Sequence, residues 1–162
     1  MTCFTPPVSK DFPMVEDGSS PSILIYTWNN PPLVSMCLSL AGTLSGLGYT
    51  VTFVLPTDEH VQEISHAGYR WFALWDSINN LSANHVRALQ QEMRREGDEL
   101  YFRGVNVTDD TRYETECLSK GIWIPLGCET PEKVPLYAAF FLDAFETIVD
   151  SCRPAACFIW NG

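Results

Sequence analysis

The sequence predicts an α/β protein whose Rossmann-like, mostly parallel sheet is flanked by helices. Apolar runs rich in β-branched residues alternate along the chain with amphipathic segments of helical period, and this alternation is typical of a parallel sheet covered by helices. The first strand, helix and second strand fit within about 35 residues, which is the size of one βαβ unit. Such a unit makes a right-handed crossover between neighbouring strands.

The first predicted unit is the clearest. Ser22–Trp28 is a continuous apolar run that ends at the Asn29–Pro32 turn, as expected of a strand buried on both faces. Apolar residues then recur at intervals of three and four, and Gly48 suits a left-handed helix cap. The β-branched run Thr50–Leu55 follows at once as the second strand.

The alternation continues through the rest of the chain, except over Tyr101–Cys128, where turn signals and aromatic residues are mixed. The last predicted helix has an apolar face formed by Val134, Ala138, Phe141, Leu142, Phe145 and Ile148. The further predicted elements are a short helix over Asp58–Ala67 capped at Gly68, a strand over Arg70–Trp75, a charged helix over Asn84–Leu100, a helix over Glu132–Cys152 stopped by Pro154, and a strand over Ala155–Trp160.

The chain length bounds the domain organisation. With 46% hydrophobic residues, 162 residues suffice for one sizeable core. We predict a disordered leader over residues 1–21 and one Rossmann-like α/β domain over residues 22–162. Ala156–Trp160 has the composition of a central strand, and no helix follows it. Doubly wound domains cover such a strand, so we expect the N-terminal piece of a two-domain architecture or a truncated reading frame; a small complete domain is the alternative.

Composition argues against several classes of partner. The formal net charge is −10 and the basic residues are scattered, whereas nucleic-acid binding needs clustered Lys and Arg to neutralise phosphates. We therefore expect no nucleic-acid partner. No apolar run reaches the roughly 18 residues of a membrane span, and the first residues lack a secretory signal. The six cysteines are interpreted as free thiols, and we expect a cytoplasmic protein.

Motifs for cofactors, metals and common catalytic sites are absent from the sequence. It contains no GxGxxG, P-loop or GxSxG motif, so no cofactor is predicted and no catalytic residue is assigned. His60 and His66 stand roughly 240° apart on a helix and cannot share a metal. Asp109 and Asp110 fit a helix N-cap better than a metal-binding DxD motif.

Polar and aromatic residues follow two of the predicted strands. Trp28, Asn29 and Asn30 come after the first strand, and Trp160 and Asn161 stand at the end of the last one. Ligands of open α/β sheets bind beyond the carboxyl ends of strands. An indole face packs on a sugar ring, and an asparagine amide pairs with hydroxyls. These five residues are the predicted substrate site, with a glycan acceptor as partner; alternatively, the tryptophans are core residues and the asparagines form turns.

The segment Ser22–Pro56, with its order of strand, loop, helix and strand, resembles the N-terminal half of two-domain, GT-B type glycosyltransferases. The sequence YFRGVNVTDDTRYE at Tyr101–Glu114, followed by a long helix and by RPAACFIWNG at Arg153–Gly162, resembles bacterial capsule and surface polysaccharide biosynthesis proteins. In those proteins a strand ending in Trp-Asn-Gly enters the site. The resemblance covers most of residues 22–162.

The resemblance implies a function for the chain. Such enzymes bind the acceptor with the N-terminal half and the nucleotide-sugar with the C-terminal half. We therefore expect an acceptor-side domain, or fragment, of a glycosyltransferase-like protein of capsule or surface polysaccharide biosynthesis. It would not be a complete transferase alone, because the C-terminal donor-binding domain is absent from this chain. The alternative is a non-catalytic α/β binding or interaction module.

Overall fold

A computed structural model describes residues 20–28, 30–74, 82–120 and 133–159. They divide into two compact units, the first formed by the described residues of Met1–Ser77 and Glu146–Gly162 and the second by those of Ile78–Phe145. The predicted leader lies outside the described residues up to position 19. In chain order the elements are β1 (Ser22–Tyr26), α1 (Pro31–Gly46), β2 (Thr50–Leu55), α2 (Val61–His66), β3 (Arg70–Ala73), α3 (Ala83–Glu92), β4 (Met93–Glu96), β5 (Glu99–Phe102), β6 (Val105–Asn106), α4 (Thr108–Ser119), α5 (Val134–Cys152) and β7 (Ala156–Ile159).

The first unit contains a four-stranded sheet in the order β3-β2-β1-β7, and all of its strand pairs are parallel. The α/β fold with a Rossmann-like parallel sheet, predicted from the alternation of strands and helices, is thereby confirmed. The last strand, β7, pairs with the first. Its apolar composition predicted a central strand of a longer architecture, and this stays a prediction. Among the described strands β7 is at the edge, and all four of its residues are exposed.

One face of this sheet packs on the first two helices. Alternate residues of β1 and β2 point to that face, as the two-residue period of a strand requires. Phe53 lies at its centre and is 0% exposed. Gly48 and Gly68 end the turns after α1 and α2 with φ of 90° and 85°, so the predicted left-handed caps are confirmed. The buried residues of this cluster are Ile23, Ile25, Cys37, Ala41, Val51, Phe53, Leu55 and Ile64.

In the second unit, the predicted helix over Asn84–Leu100 is wrong beyond Glu92. Ser82 caps the start of α3 by accepting a hydrogen bond from the His85 amide at 3.2 Å. After Glu92 the chain forms a hairpin instead, in which β4 pairs antiparallel with β5 across the Gly97–Asp98 turn. Gly97 has a φ of 62°, a conformation that suits a two-residue hairpin turn beginning with glycine. Strand pairing outweighs the helix propensity of the charged β4 residues.

A second tight turn joins β5 to β6. Phe102 pairs with Val105 across it, and the two turn residues, Arg103 and Gly104, have φ of 49° and 82°. Two consecutive positive φ angles define a type I′ turn, whose first position favours Asn, Asp or Gly. Arg103 therefore adopts a backbone conformation that arginine rarely takes.

Helix α4 begins at Thr108, earlier than predicted. Asp109 and Asp110 consequently lie inside its first turn, so their assignment as N-cap residues is wrong, although carboxylates still favour that end of the helix dipole. The Asn106 side chain accepts a hydrogen bond from the Thr108 amide at 2.9 Å. In the described part of the chain, no helix is long and apolar enough to cross a membrane.

The buried face of α5 also differs from the prediction. Val134 and Ile148 are buried as expected, but Ala138, Phe141, Leu142 and Phe145 are only half-buried. The carboxylate of Asp143 is among the buried side chains. A prediction based on the spacing of apolar residues does not include a charged residue in the buried face. The buried residues of this helix are Val134, Ala139, Phe140, Asp143, Ala144 and Ile148.

The fold contains a matched pair of buried threonines that gives a first testable prediction. Within the described ranges the Thr52 hydroxyl on β2 has no hydrogen-bond partner, whereas the Thr111 hydroxyl on α4 donates to the Val107 carbonyl at 2.8 Å. We expect Thr52→Val to raise the free energy of unfolding by about 1 kcal/mol, because the change removes an unsatisfied buried hydroxyl. Thr111→Val should lower it by about 1 kcal/mol. Urea denaturation of both variants checks this, and a loss of stability in Thr52→Val would contradict it.

Candidate functional site

The strand order of the first unit reverses at β1. From β1 the chain crosses through α1 to β2 on one side, while β7 pairs with β1 on the other side. Tyr26 is in register with Ile159, so β1 and β7 end side by side at the carboxyl edge of the sheet. In open α/β sheets a ligand crevice forms beyond the strand ends at such a reversal.

The chain that leaves β1 is fixed by contacts at this edge. The Thr27 side chain is buried, and the backbone amide of Thr27 donates a hydrogen bond to the Val54 carbonyl at 3.2 Å. The Tyr26 and Trp28 rings meet edge to face, with their centroids 5.9 Å apart. Trp28 is half-buried, so part of its side-chain surface remains in contact with solvent next to the end of β1. The Trp28 ring is therefore fixed by its contact with Tyr26 and is still accessible to a ligand that packs on an aromatic surface.

The start of α1 lacks the donors that a phosphate site needs. Pro31 and Pro32 occupy the first two helical positions, and neither has an N–H group. The Asn30 amide donates to the Trp28 carbonyl at 2.8 Å. A helix N-terminus binds a phosphate through its free N–H groups, and here most of them are missing or used. The Asn30 side chain is exposed and makes no capping hydrogen bond.

Two of the five predicted site residues, Trp28 and Asn30, are described by the structure, and both lie at the carboxyl end of β1. Asn29, Trp160 and Asn161 lie outside the described residues. The structure brings together the two strand ends from which these side chains follow. Their convergence in one cleft stays a prediction.

A histidine follows the next strand, β2, and sequence reasoning considered it only as a metal ligand. The Nδ1 atom of His60 is 3.4 Å from the Glu63 carboxylate. The Nε2 atom is buried and has no hydrogen-bond partner among the residues that the structure describes, and the side chain is 11% exposed. Its place shortly after the predicted strand Thr50–Leu55 was the signal that could have marked it as a site residue. The helix predicted from Asp58 hid this signal, because α2 begins only at Val61.

No family model, curated protein or solved structure matches the chain. The chain's own geometry therefore has to support any assignment of function. Over residues 20–28, 30–74, 82–120 and 133–159, no group of three or more His, Cys, Asp or Glu side chains is placed to hold a metal ion.

The second unit contains a partly buried charge network, which we name the Asp143 cluster after its central carboxylate. Asp143 is 8% exposed. One of its oxygens is 3.1 Å from Nε2 of His85, and the other accepts a hydrogen bond from Nη2 of Arg103 at 2.7 Å. Arg103 also pairs with Glu92 through its Nε atom. The cluster therefore joins α5 to both ends of α3, through His85 and Glu92, and to the type I′ turn.

The cluster holds Arg103 firmly. Its guanidinium carbon lies 4.9 Å from the centre of the Phe102 ring, in the geometry of a cation–π contact. Its hydrogen bond to Glu92 holds the pKa of that carboxyl below its ordinary value. Since each oxygen of Asp143 already faces a partner, the cluster is better suited to joining these elements than to binding a ligand. The sequence pattern does not indicate this cluster, because a single aspartate within an apolar helix shows nothing of its partners.

Proposed function

We propose that the chain is an acceptor-side domain, or part of one, of a glycosyltransferase-like protein of capsule or surface polysaccharide biosynthesis. In this proposal it binds a neutral glycan acceptor at the carboxyl edge of β1 and β7. The observation that supports it best is the reversal of strand order at β1, next to a helix start that lacks phosphate-binding donors.

The chemistry of this edge favours a neutral ligand over a phosphorylated one. Trp28 offers an apolar ring face, and Asn30 offers an amide with both donors and acceptors. Pro31 and Pro32 remove amide donors, and the net charge of −10 repels phosphates. In the proposed protein a separate donor-binding domain holds the nucleotide-sugar. This chain alone then neither hydrolyses nor transfers from one.

Titration of the labelled protein tests the proposal. We expect maltose, lactose, cellobiose or chitobiose to shift the backbone amide signals around residues 27–33, while UDP-glucose and GDP-mannose give no saturable binding. Asn30→Ala should weaken the binding of the sugar about tenfold, because polar groups of the ligand lose their partner. It should leave thermal stability almost unchanged, since the Asn30 side chain is exposed and caps nothing.

Asn84 provides a matched control, because it is an exposed asparagine in the second unit. Asn84→Ala should bind sugars like the parent. Saturable binding of a nucleotide-sugar would contradict the neutral site. Equal binding by the Asn30→Ala variant and the parent would remove Asn30 from it. If none of the four sugars binds, the proposal is wrong and the alternative, a non-catalytic α/β module, is favoured.

A further inference from the structure

We propose that His60 belongs to the same ligand site and that its Nε2 atom accepts a hydrogen bond from a hydroxyl group of the bound glycan. This inference rests on the proposed function and adds to it a residue that reads a specific hydroxyl.

The position of His60 follows from the sheet. β2 is the direct neighbour of β1, with Tyr26 in register with Val54, and the Thr27 amide is hydrogen-bonded to the Val54 carbonyl. Parallel strands end at the same edge, so the loop after β2 and the loop after β1 leave the sheet next to each other. His60 is the last residue of the β2 loop before α2 begins at Val61.

Glu63 lies beside one of the two nitrogens of the ring. The carboxylate of Glu63 faces Nδ1 of His60 at 3.4 Å, and a carboxylate at one ring nitrogen favours the proton on that nitrogen. In the neutral imidazole the other nitrogen, Nε2, is then an acceptor. A glycan hydroxyl is a donor that fits it.

The buried nitrogen supplies the energetic reason. Nε2 of His60 is covered by protein and lacks a hydrogen-bond partner in the described part of the chain. An unsatisfied buried polar group destabilises a fold. The destabilising nitrogen is explained if it forms a hydrogen bond with a bound ligand. Because the atom is covered, binding must be accompanied by a movement of the ring or of the residues that cover it. The environment of the His60 ring therefore changes on binding, which makes the ring a sensitive reporter.

The chain has three histidines, so the ring nitrogens can be followed individually by ¹⁵N NMR in the full-length labelled protein. On addition of maltose, lactose, cellobiose or chitobiose, we expect the Nε2 signal of His60 to shift. The signals of His66, which is exposed at the end of α2, and of His85, in the Asp143 cluster, should stay in place.

Two substitutions separate the ring nitrogens. An asparagine amide approximates the Nδ1 position and a glutamine amide approximates the Nε2 position. We expect His60→Asn to weaken sugar binding about tenfold, and His60→Gln to retain more of it. His66→Asn is the matched control on the same helix and should bind like the parent.

The outcomes distinguish this inference from the proposed function. If a sugar binds the parent and His60→Asn equally and the His60 signal does not move, His60 is not in the site, while the proposed function stands. If none of the four sugars binds the parent, both proposals fall. If His60→Asn does not fold, the His60 signal in the parent and the His60→Gln variant still decide the question.

Discussion

Replacing Asp143 with alanine should lower the free energy of unfolding by about 3 kcal/mol. Asp143 is 8% exposed and pairs with both His85 and Arg103. Removing its carboxylate leaves a guanidinium and an imidazole without their common partner, and breaking a buried pair from one side is strongly destabilising. Part of this loss is offset because Arg103 keeps its contacts with Glu92 and Phe102. Urea denaturation followed by circular dichroism measures the change.

Asp150 is the matched control, because it lies exposed on the same helix two turns later. Asp150→Ala should change the free energy of unfolding by less than about 0.5 kcal/mol. The double variant of Asp143→Ala and Arg103→Ala should lose less stability than the two single changes added together, by at least about 1 kcal/mol. Strict additivity would show that the two side chains do not stabilise each other.

Replacing Phe53 with alanine should lower the free energy of unfolding by about 3–5 kcal/mol. Phe53 is 0% exposed, and its ring meets that of Tyr69 at a centroid distance of 5.5 Å. It lies on β2, between β1 and β3, so the backbone around it is fixed on both sides. The space left by the ring therefore closes only partly.

Phe158 is the control of the same residue type in the same sheet. It lies on β7 at the sheet edge and is 37% exposed. Phe158→Ala should lower the free energy of unfolding by much less, about 1 kcal/mol. Hydrogen exchange of the amides of β1 and β2, measured in both variants, checks the comparison. Equal losses in the two variants would contradict the assignment of Phe53 to the centre of the core.

The parallel sheet could be predicted because its strands carry an unambiguous signal. β1 and β2 are continuous apolar runs with β-branched residues, and Gly48 marks the end of the helix between them. The predicted place of the ligand site, after β1 and the last strand, follows from the same pattern. The structure adds the neighbouring strand ends, while the roles of Trp28 and Asn30 stay predictions.

The second unit was poorly predicted, and the reasons are physical. The charged residues of β4 favour a helix when considered alone, and only their pairing with β5 makes them a strand. Asp143 is buried because of partners on α3 and in the β5–β6 turn, and a single-sequence pattern contains no information on such partners. The burial of the His60 Nε2 atom likewise depends on how side chains pack, which a single sequence does not show.

The pairing of β1 with β7 has a consequence for the way the sheet is assembled. Every other described element lies between these two strands in the sequence, so their contact closes a very long loop of chain. Contacts of this kind form late and slow the folding of parallel sheets. During synthesis β1 emerges before β7, so the backbone on that side of β1 stays unpaired until β7 has been made.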